Sequence, residues 1–68
     1  MMARLRGRRL LTVAEFARET GVPAQTVRDW LRSGRLRGRD LNAGTGKRAR
    51  WRVFASEADR YLRERGGR

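Results

Sequence analysis

Apolar residues recur with helical spacing near the start of the sequence. One face of this segment is formed by Val13, Phe16, Ala17 and Thr20, at positions i, i+3, i+4 and i+7. Thr12 and Glu15 can form a capping box, in which the Thr12 hydroxyl accepts from the Glu15 N–H and the Glu15 carboxylate accepts from the Thr12 N–H. Gly21 follows where a left-handed residue commonly ends a helix. The pattern predicts a first helix from Thr12 to about Thr20.

A second helix is predicted to begin at Pro23 or Ala24, because proline is well tolerated in the first turn of a helix. Its inward side is marked by Val27, Trp30 and Leu31. Ser33-Gly34 marks its end. Two short helices joined by a three- or four-residue turn that contains glycine are typical of a helix-turn-helix. On spacing alone, a plain pair of antiparallel helices is the alternative.

After Gly34 the spacing changes to the alternation of a β-strand. Ala49, Trp51 and Val53 fall on one face of a predicted strand, and Arg48, Arg50 and Arg52 fall on the other. Residues 39–41 are a plausible partner strand, and the connecting residues 42–47 include two glycines that can adopt positive φ. This segment is therefore predicted to form a β-hairpin.

A third helix is predicted to begin near Ser56, whose hydroxyl can cap the N–H of Ala58 or Asp59. Its apolar stripe consists of Ala58, Tyr61 and Leu62. The fold class predicted from these elements is α+β: two short helices in a helix-turn-helix arrangement, a β-hairpin and a C-terminal helix. We expect a basic N-terminal arm at residues 1–9, the folded domain at residues 10–65 and a tail at residues 66–68.

The charge is unevenly distributed along the 68 residues. Eighteen basic and seven acidic residues leave a formal net charge of +11. Residues 1–11 carry +4, residues 12–34 are neutral, residues 35–54 carry +6 and residues 55–68 carry +1. Neutralising phosphates releases counterions, so a nucleic acid is the partner that this distribution favours. A merely solvated strand face is the alternative, but like charges on one face repel each other.

Several function classes are excluded or made improbable by composition. The chain has neither cysteine nor histidine, which excludes a disulfide framework and a zinc finger. The acidic residues are scattered, so no pair stands out as general acid and base, and we expect neither an enzyme nor a metal site. Apolar runs are too short to span a membrane. We expect a cytoplasmic protein with no cofactor, no small-molecule ligand and no membrane partner.

The sequence also resembles a known family. The Thr12-x-x-Glu15 box, Gly21-Val22, Thr26-Val27-x-x-Trp30 and Ser33-Gly34-x-Leu36 recur at the spacing of the excisionase and MerR-like winged helix-turn-helix family, and the likeness covers roughly residues 10–63. The resemblance implies a recognition helix at about residues 23–33 in the major groove of double-stranded DNA and a wing on the adjacent minor groove.

The resemblance also implies which side chains meet DNA. On the recognition helix they are Ala24, Gln25, Thr26, Arg28, Asp29 and Arg32; on the wing Arg39, Lys47, Arg48, Arg50 and Arg52; on the arm Arg4, Arg6, Arg8 and Arg9. Gln25 is suited to adenine, Arg28 to guanine or phosphate, and Thr26 to phosphate or a thymine methyl group. Each is also compatible with an ordinary solvated surface position.

Two positions depart from the family pattern. Pro23 replaces a serine cap, which costs the recognition helix about 1 kcal/mol. Asp29 stands where some excisionases have arginine, and its charge would repel phosphate. We expect Asp29 either to accept from a cytosine N4 or to tether Arg32 or Arg28.

The role within the family is a further expectation. MerR-type regulators continue into a long dimerisation helix and an effector domain, whereas this sequence ends at Arg68. An excisionase is therefore favoured, one that bends attachment-site DNA, associates head to tail on it and directs an integrase toward excision. A small MerR-like transcriptional regulator is the first alternative. A basic RNA-binding protein is the second, although no stacking aromatics stand exposed on a predicted sheet.

Overall fold

The computed structural model describes residues 9–66. In chain order its elements are β1 (Leu10–Thr12), α1 (Val13–Thr20), α2 (Ala24–Ser33), β2 (Gly38–Asp40), β3 (Trp51–Phe54) and α3 (Ala55–Gly66). The α+β winged helix-turn-helix architecture predicted from the sequence is confirmed. The predicted contacts of Arg4, Arg6 and Arg8 and most of the predicted tail lie outside the described residues. None of the helices within residues 9–66 is both long and apolar enough to cross a membrane.

The capping box predicted at the start of α1 is present. The Thr12 N–H donates to Glu15 Oε1 at 2.8 Å, and the Glu15 N–H donates to Thr12 Oγ1 at 3.0 Å. The hydrogen bond from the Thr12 N–H is the main cause that lowers the pKa of Glu15. The Thr12 hydroxyl and the charges of Arg9 and Arg18 also lower this pKa, whereas burial acts in the opposite direction. At the other end, Gly21 has φ 79° and closes the helix by donating its N–H to the Ala17 carbonyl.

Helix α2 begins without a side-chain cap, as the proline at its start predicts. Pro23 occupies the N-cap position and makes no capping hydrogen bond. Val27 and Leu31 are buried, and Gly34 ends the helix with φ 86°. The second helix of the predicted pair therefore has the expected length and the expected inward face.

The sheet contains one strand that the sequence pattern did not predict. The strand order is β1-β3-β2, and both pairings are antiparallel. β1 places Leu11 opposite Val53, while β2 places Gly38 on the other side of the same residue. β3 is thus the central strand. Because β1 runs directly into α1, the first turn of α1 is attached to the sheet.

The predicted boundaries of the hairpin and of the last helix need correction. The predicted strand from Arg48 is wrong at its start, because the ladder begins only at Trp51 and Ala49 is exposed. α3 begins at Ala55, so Ser56 lies inside its first turn instead of capping it. Leu62, predicted on the apolar stripe, is 41% exposed.

One core joins the helices to the sheet. Its buried residues are Leu11, Phe16, Val22, Val27, Leu31, Leu36, Val53, Ala55 and Ala58. Glu57 is also buried, at 6% exposure, and its Oε1 accepts the Arg37 N–H at 3.2 Å. That bond satisfies a buried carboxylate and fastens the segment after α2 to α3.

Candidate nucleic-acid interface

An open cleft of about 570 Å³ separates α2 from the wing. We use "wing" for residues 38–54, which are β2, β3 and their connection. The cleft is lined by Thr12, Val13, Ala14, Gln25, Arg28, Arg32, Arg48, Ala49, Trp51 and Arg52. It therefore combines side chains from α2, from the wing and from the start of α1.

The α2 wall follows from helical periodicity. Val27 and Leu31 point into the core, so the residues on the opposite side of the helix must face outward. Three of the predicted contact residues, Gln25, Arg28 and Arg32, line the cleft, and all three are exposed. The spacing i, i+3, i+7 keeps them on one side of α2.

Asp29 lies beside two of these residues. Its Oδ1 accepts a hydrogen bond from Gln25 Nε2 at 3.1 Å and another from Arg32 Nη1 at 3.3 Å. Of the alternatives raised by its unusual charge, the structure shows the tether to Arg32, and it adds a contact with Gln25. Both members of the Asp29–Arg32 pair are more than half exposed, so the ion pair itself contributes little stability.

The wing contributes Arg48 and Arg52 to the other wall. Arg52 lies on β3 with Arg39 directly opposite on β2, and the two side chains emerge on the same face of the sheet. Like charges placed directly opposite each other are destabilising. An anion bound beside this pair would relieve the repulsion.

The connection between β2 and β3 is held by hydrogen bonds from its own residues. Asp40 Oδ1 accepts the N–H of Asn42 at 2.9 Å and the N–H of Arg50 at 2.8 Å. The Asn42 amide donates to the Arg48 carbonyl at 2.8 Å, and the Lys47 N–H donates to Thr45 Oγ1 at 3.2 Å. The side chains of Lys47 and Arg50 are exposed, and neither lines the cleft.

Three predicted contact residues of α2 do not line the cleft: Ala24, Thr26 and Asp29. Ala24 and Thr26 are half-buried, and Thr26 lines a different groove together with Trp30 and Tyr61. The Trp30 and Tyr61 ring centroids are 6.0 Å apart, and the Arg35 guanidinium lies 5.2 Å from the centre of the Trp30 ring. Trp30 therefore packs toward α3.

The exposed Arg9, predicted as a contact residue of the arm, precedes β1. Its carbonyl accepts the Ala55 N–H at 2.8 Å.

The sequence pattern did not identify some residues that line the cleft or shape the wing. Trp51, predicted only on the strand face opposite the arginines, is half-buried and lines the cleft, and its Nε1 is buried without a hydrogen-bond partner among the described residues. Asp40 was predicted only as part of a strand, yet its carboxylate accepts the N–H groups of Asn42 and Arg50 in the connection between β2 and β3. The exposed Ala14 reaches the cleft because β1 sets the position of α1. An aspartate followed two residues later by asparagine was the available signal for the turn at Asp40.

The electrostatics of the cleft favour an anion. Four guanidinium groups line it, and none of the described residues in its lining is acidic. Within residues 9–66, Arg28 and Arg48 have no carboxylate partner, so their donors are open to a ligand. Guanidinium groups match phosphate oxygens through paired N–H donors. An extended polyanion such as a nucleic-acid backbone fits both the charge and the open shape.

The comparison with protein families agrees with this arrangement. The model of a family described as "Helix-turn-helix domain" matches residues 10–66, which include every described strand and helix. No curated protein and no solved structure matches the chain.

Proposed function

The chain belongs to the helix-turn-helix domain family, and we propose that it is an excisionase-type protein. In this proposal α2 contacts the bases of double-stranded DNA and the wing contacts the phosphate backbone. The family membership supports sequence-specific DNA binding. The excisionase role and the individual contacts are the finer part of the proposal. They draw on the motif resemblance and on the inclusion of excisionase-like proteins in the family.

The observation that carries the proposal is the cleft between α2 and the wing. Helix-turn-helix proteins place the N-terminal part of the second helix on base edges. Here that part carries Gln25 and Arg28, and Arg48 and Arg52 stand across the cleft from them. A duplex with α2 in its major groove would bring a phosphate backbone between the two walls.

Readout and affinity would come from different parts of the chain. The segment 12–34, which holds α1 and α2, has no net charge, whereas residues 35–54 carry +6 and residues 1–11 carry +4. Gln25 would pair with adenine, while Arg28 would contact guanine or phosphate. The wing arginines and Arg4, Arg6, Arg8 and Arg9 of the arm would neutralise phosphates and supply most of the sequence-independent affinity.

The excisionase role adds partners to this binding mode. Several copies would bind repeated sites head to tail, bend the DNA and direct an integrase toward excision. Bending is favourable when the extra contacts it permits exceed the deformation energy of the duplex. A wing with this much positive charge can supply such contacts along the minor groove.

The DNA-binding part of the proposal is tested by gel shifts with duplex DNA and with RNA of the same sequence. We expect tighter binding to the duplex and a weaker complex for Arg28→Ala and Arg48→Ala. Arg63→Ala is the matched control, because Arg63 is exposed on α3 and lies outside the cleft. Tighter binding to RNA, or equal losses in all three variants, would contradict the proposal.

The excisionase part needs a recombination assay. Purified protein is added to the integrase encoded nearest to its gene, with the corresponding attachment-site DNA, and excision products are counted. We expect excision to rise with protein concentration, and Gln25→Ala to weaken this effect by relaxing site preference. Unchanged excision combined with specific binding at a promoter would favour the transcriptional regulator instead.

A further inference from the structure

The hydrogen bond between Gln25 and Asp29 fixes the direction of the Gln25 amide. Gln25 Nε2 lies 3.1 Å from Asp29 Oδ1, and the two residues are one helical turn apart on the exposed face of α2. An ionised carboxylate can only accept hydrogen bonds. The amide nitrogen of Gln25 must therefore face Asp29, because the reverse orientation would place its oxygen against a negative charge.

Arg32 holds the same carboxylate from the other side. Its Nη1 lies 3.3 Å from the Oδ1 atom that receives the Gln25 donor. Gln25, Asp29 and Arg32 stand at i, i+4 and i+7 and form one stripe along α2. Asp29 is thus held in place to receive Gln25.

The engaged amide proton changes what Gln25 can recognise. A glutamine amide has two N–H donors and one carbonyl acceptor. With one donor directed to Asp29, Gln25 retains one N–H and Oε1. In the major groove adenine presents the N7 acceptor beside the N6 donor, whereas guanine presents the two acceptors N7 and O6. The remaining Gln25 groups match adenine, and guanine would require the donor that Asp29 already occupies.

We propose that Asp29 is a specificity-determining residue that makes Gln25 select adenine over guanine. The inference rests on the proposed function of α2 as the reading helix. Asp29 acts through Gln25 and is therefore a positioning residue. Its negative charge also repels phosphates. Asp29 therefore lowers the overall affinity for DNA while it increases the discrimination between bases at one base pair.

The test is selection of binding sites from a library of random duplexes, using the wild-type protein and four variants. Gln25→Ala identifies the base pair that depends on Gln25. Asp29→Ala frees the amide, Asp29→Asn removes the charge but keeps an oxygen acceptor, and Glu64→Gln is the control for charge. Glu64 is exposed on α3, and its removal changes the net charge by the same amount without touching α2.

We expect adenine at the Gln25-dependent position in the wild type. In Asp29→Ala the preference for adenine over guanine should fall by about fivefold or more, since a bidentate pair supplies that scale of discrimination. Asp29→Asn should lose part of the preference, because asparagine can donate to Gln25 Oε1 as well as accept from Gln25 Nε2, whereas Glu64→Gln should keep the preference in full. Asp29→Ala, Asp29→Asn and Glu64→Gln should all bind the library more tightly overall.

The outcomes separate this inference from the proposed function. If the wild-type protein enriches no sequence, the proposed function itself is wrong. If it enriches a motif whose Gln25-dependent base is not adenine, or if Asp29→Ala keeps the full adenine preference, then only the role of Asp29 is overturned.

Discussion

Leu31 of α2 lies directly against Gly38 of the wing. A Cβ atom added to Gly38 would stand 2.6 Å from Leu31 Cδ2 and would also meet the carbonyl oxygen of Arg52. Contacts this short force the neighbouring atoms to move. The absence of a side chain at Gly38 therefore sets how closely α2 approaches the sheet, and with it the width of the cleft.

Replacing Gly38 by alanine should cost about 1–3 kcal/mol of unfolding free energy, because the backbone of β3 cannot yield as a flexible side chain can. DNA affinity should fall as well, since α2 and the wing are pushed apart. Chemical denaturation and gel shifts measure the two effects. Gly44→Ala is the control: Gly44 has φ 80° and open space around it, so the variant should lose stability and keep its affinity when folded. Equal affinity in the two variants would contradict the prediction.

Asp40→Ala tests whether the shape of the wing or its total charge governs binding. The change raises the net charge by one, which alone would tighten binding to DNA. It also removes the acceptor for the N–H groups of Asn42 and Arg50. We expect weaker DNA binding and a loss of about 1–3 kcal/mol in stability. Glu64→Ala, with the same charge change on α3, should bind at least as well as the wild type. An Asp40→Ala protein that binds as tightly as Glu64→Ala would show that charge alone matters.

Arg50→Ala should weaken binding to all DNA sequences. Arg50 is exposed on the wing, and its backbone N–H is held by Asp40, so its side chain is presented from a defined position. Losing one phosphate contact should reduce the slope of log affinity against log salt by about 1. Fluorescence anisotropy at several salt concentrations measures this slope. Arg63→Ala serves as the charge-matched comparison, and a wild-type slope for Arg50→Ala would mean that this side chain does not meet phosphate.

The pH dependence of stability should include a contribution from Glu15. Its pKa is lower in the folded chain than the ordinary value of 4.5, chiefly because its carboxylate accepts the Thr12 N–H. A lowered pKa means that the contribution is fully present above the unfolded value and is lost as the pH falls through the folded value. The Tm difference between the wild type and Glu15→Gln should therefore shrink below about pH 4.5. A difference that stays constant from pH 7 to pH 3 would contradict this assignment.

The helices were predictable because their signals are local. A capping box acts across three residues, and the left-handed glycine that follows a helix is adjacent to it in sequence. Thr12 with Glu15 therefore marks the start of α1, and Gly34 marks the end of α2, without reference to any tertiary contact. The exposed stripe of α2 followed from the same periodicity.

The sheet was less predictable, because its strands are defined by distant partners. β1 has only three residues, too few to show an alternating pattern, and it becomes a strand by pairing Leu11 with Val53. Glu57 likewise has a partner 20 residues earlier in the chain, the Arg37 N–H. The residues opposite α2 across the cleft depend on this long-range pairing, so charge alone did not separate Arg48 and Arg52 from Arg50.

Two junctions in the fold have no connecting residue. β1 ends at Thr12 and α1 begins at Val13, while β3 ends at Phe54 and α3 begins at Ala55. The sheet is thus continuous with α1 and α3, and no loop residue separates them at either junction. If the unbound DNA does not already match the shape of the protein surface, the DNA would have to deform more than the protein does. Most of the deformation energy of the complex would then be stored in the duplex.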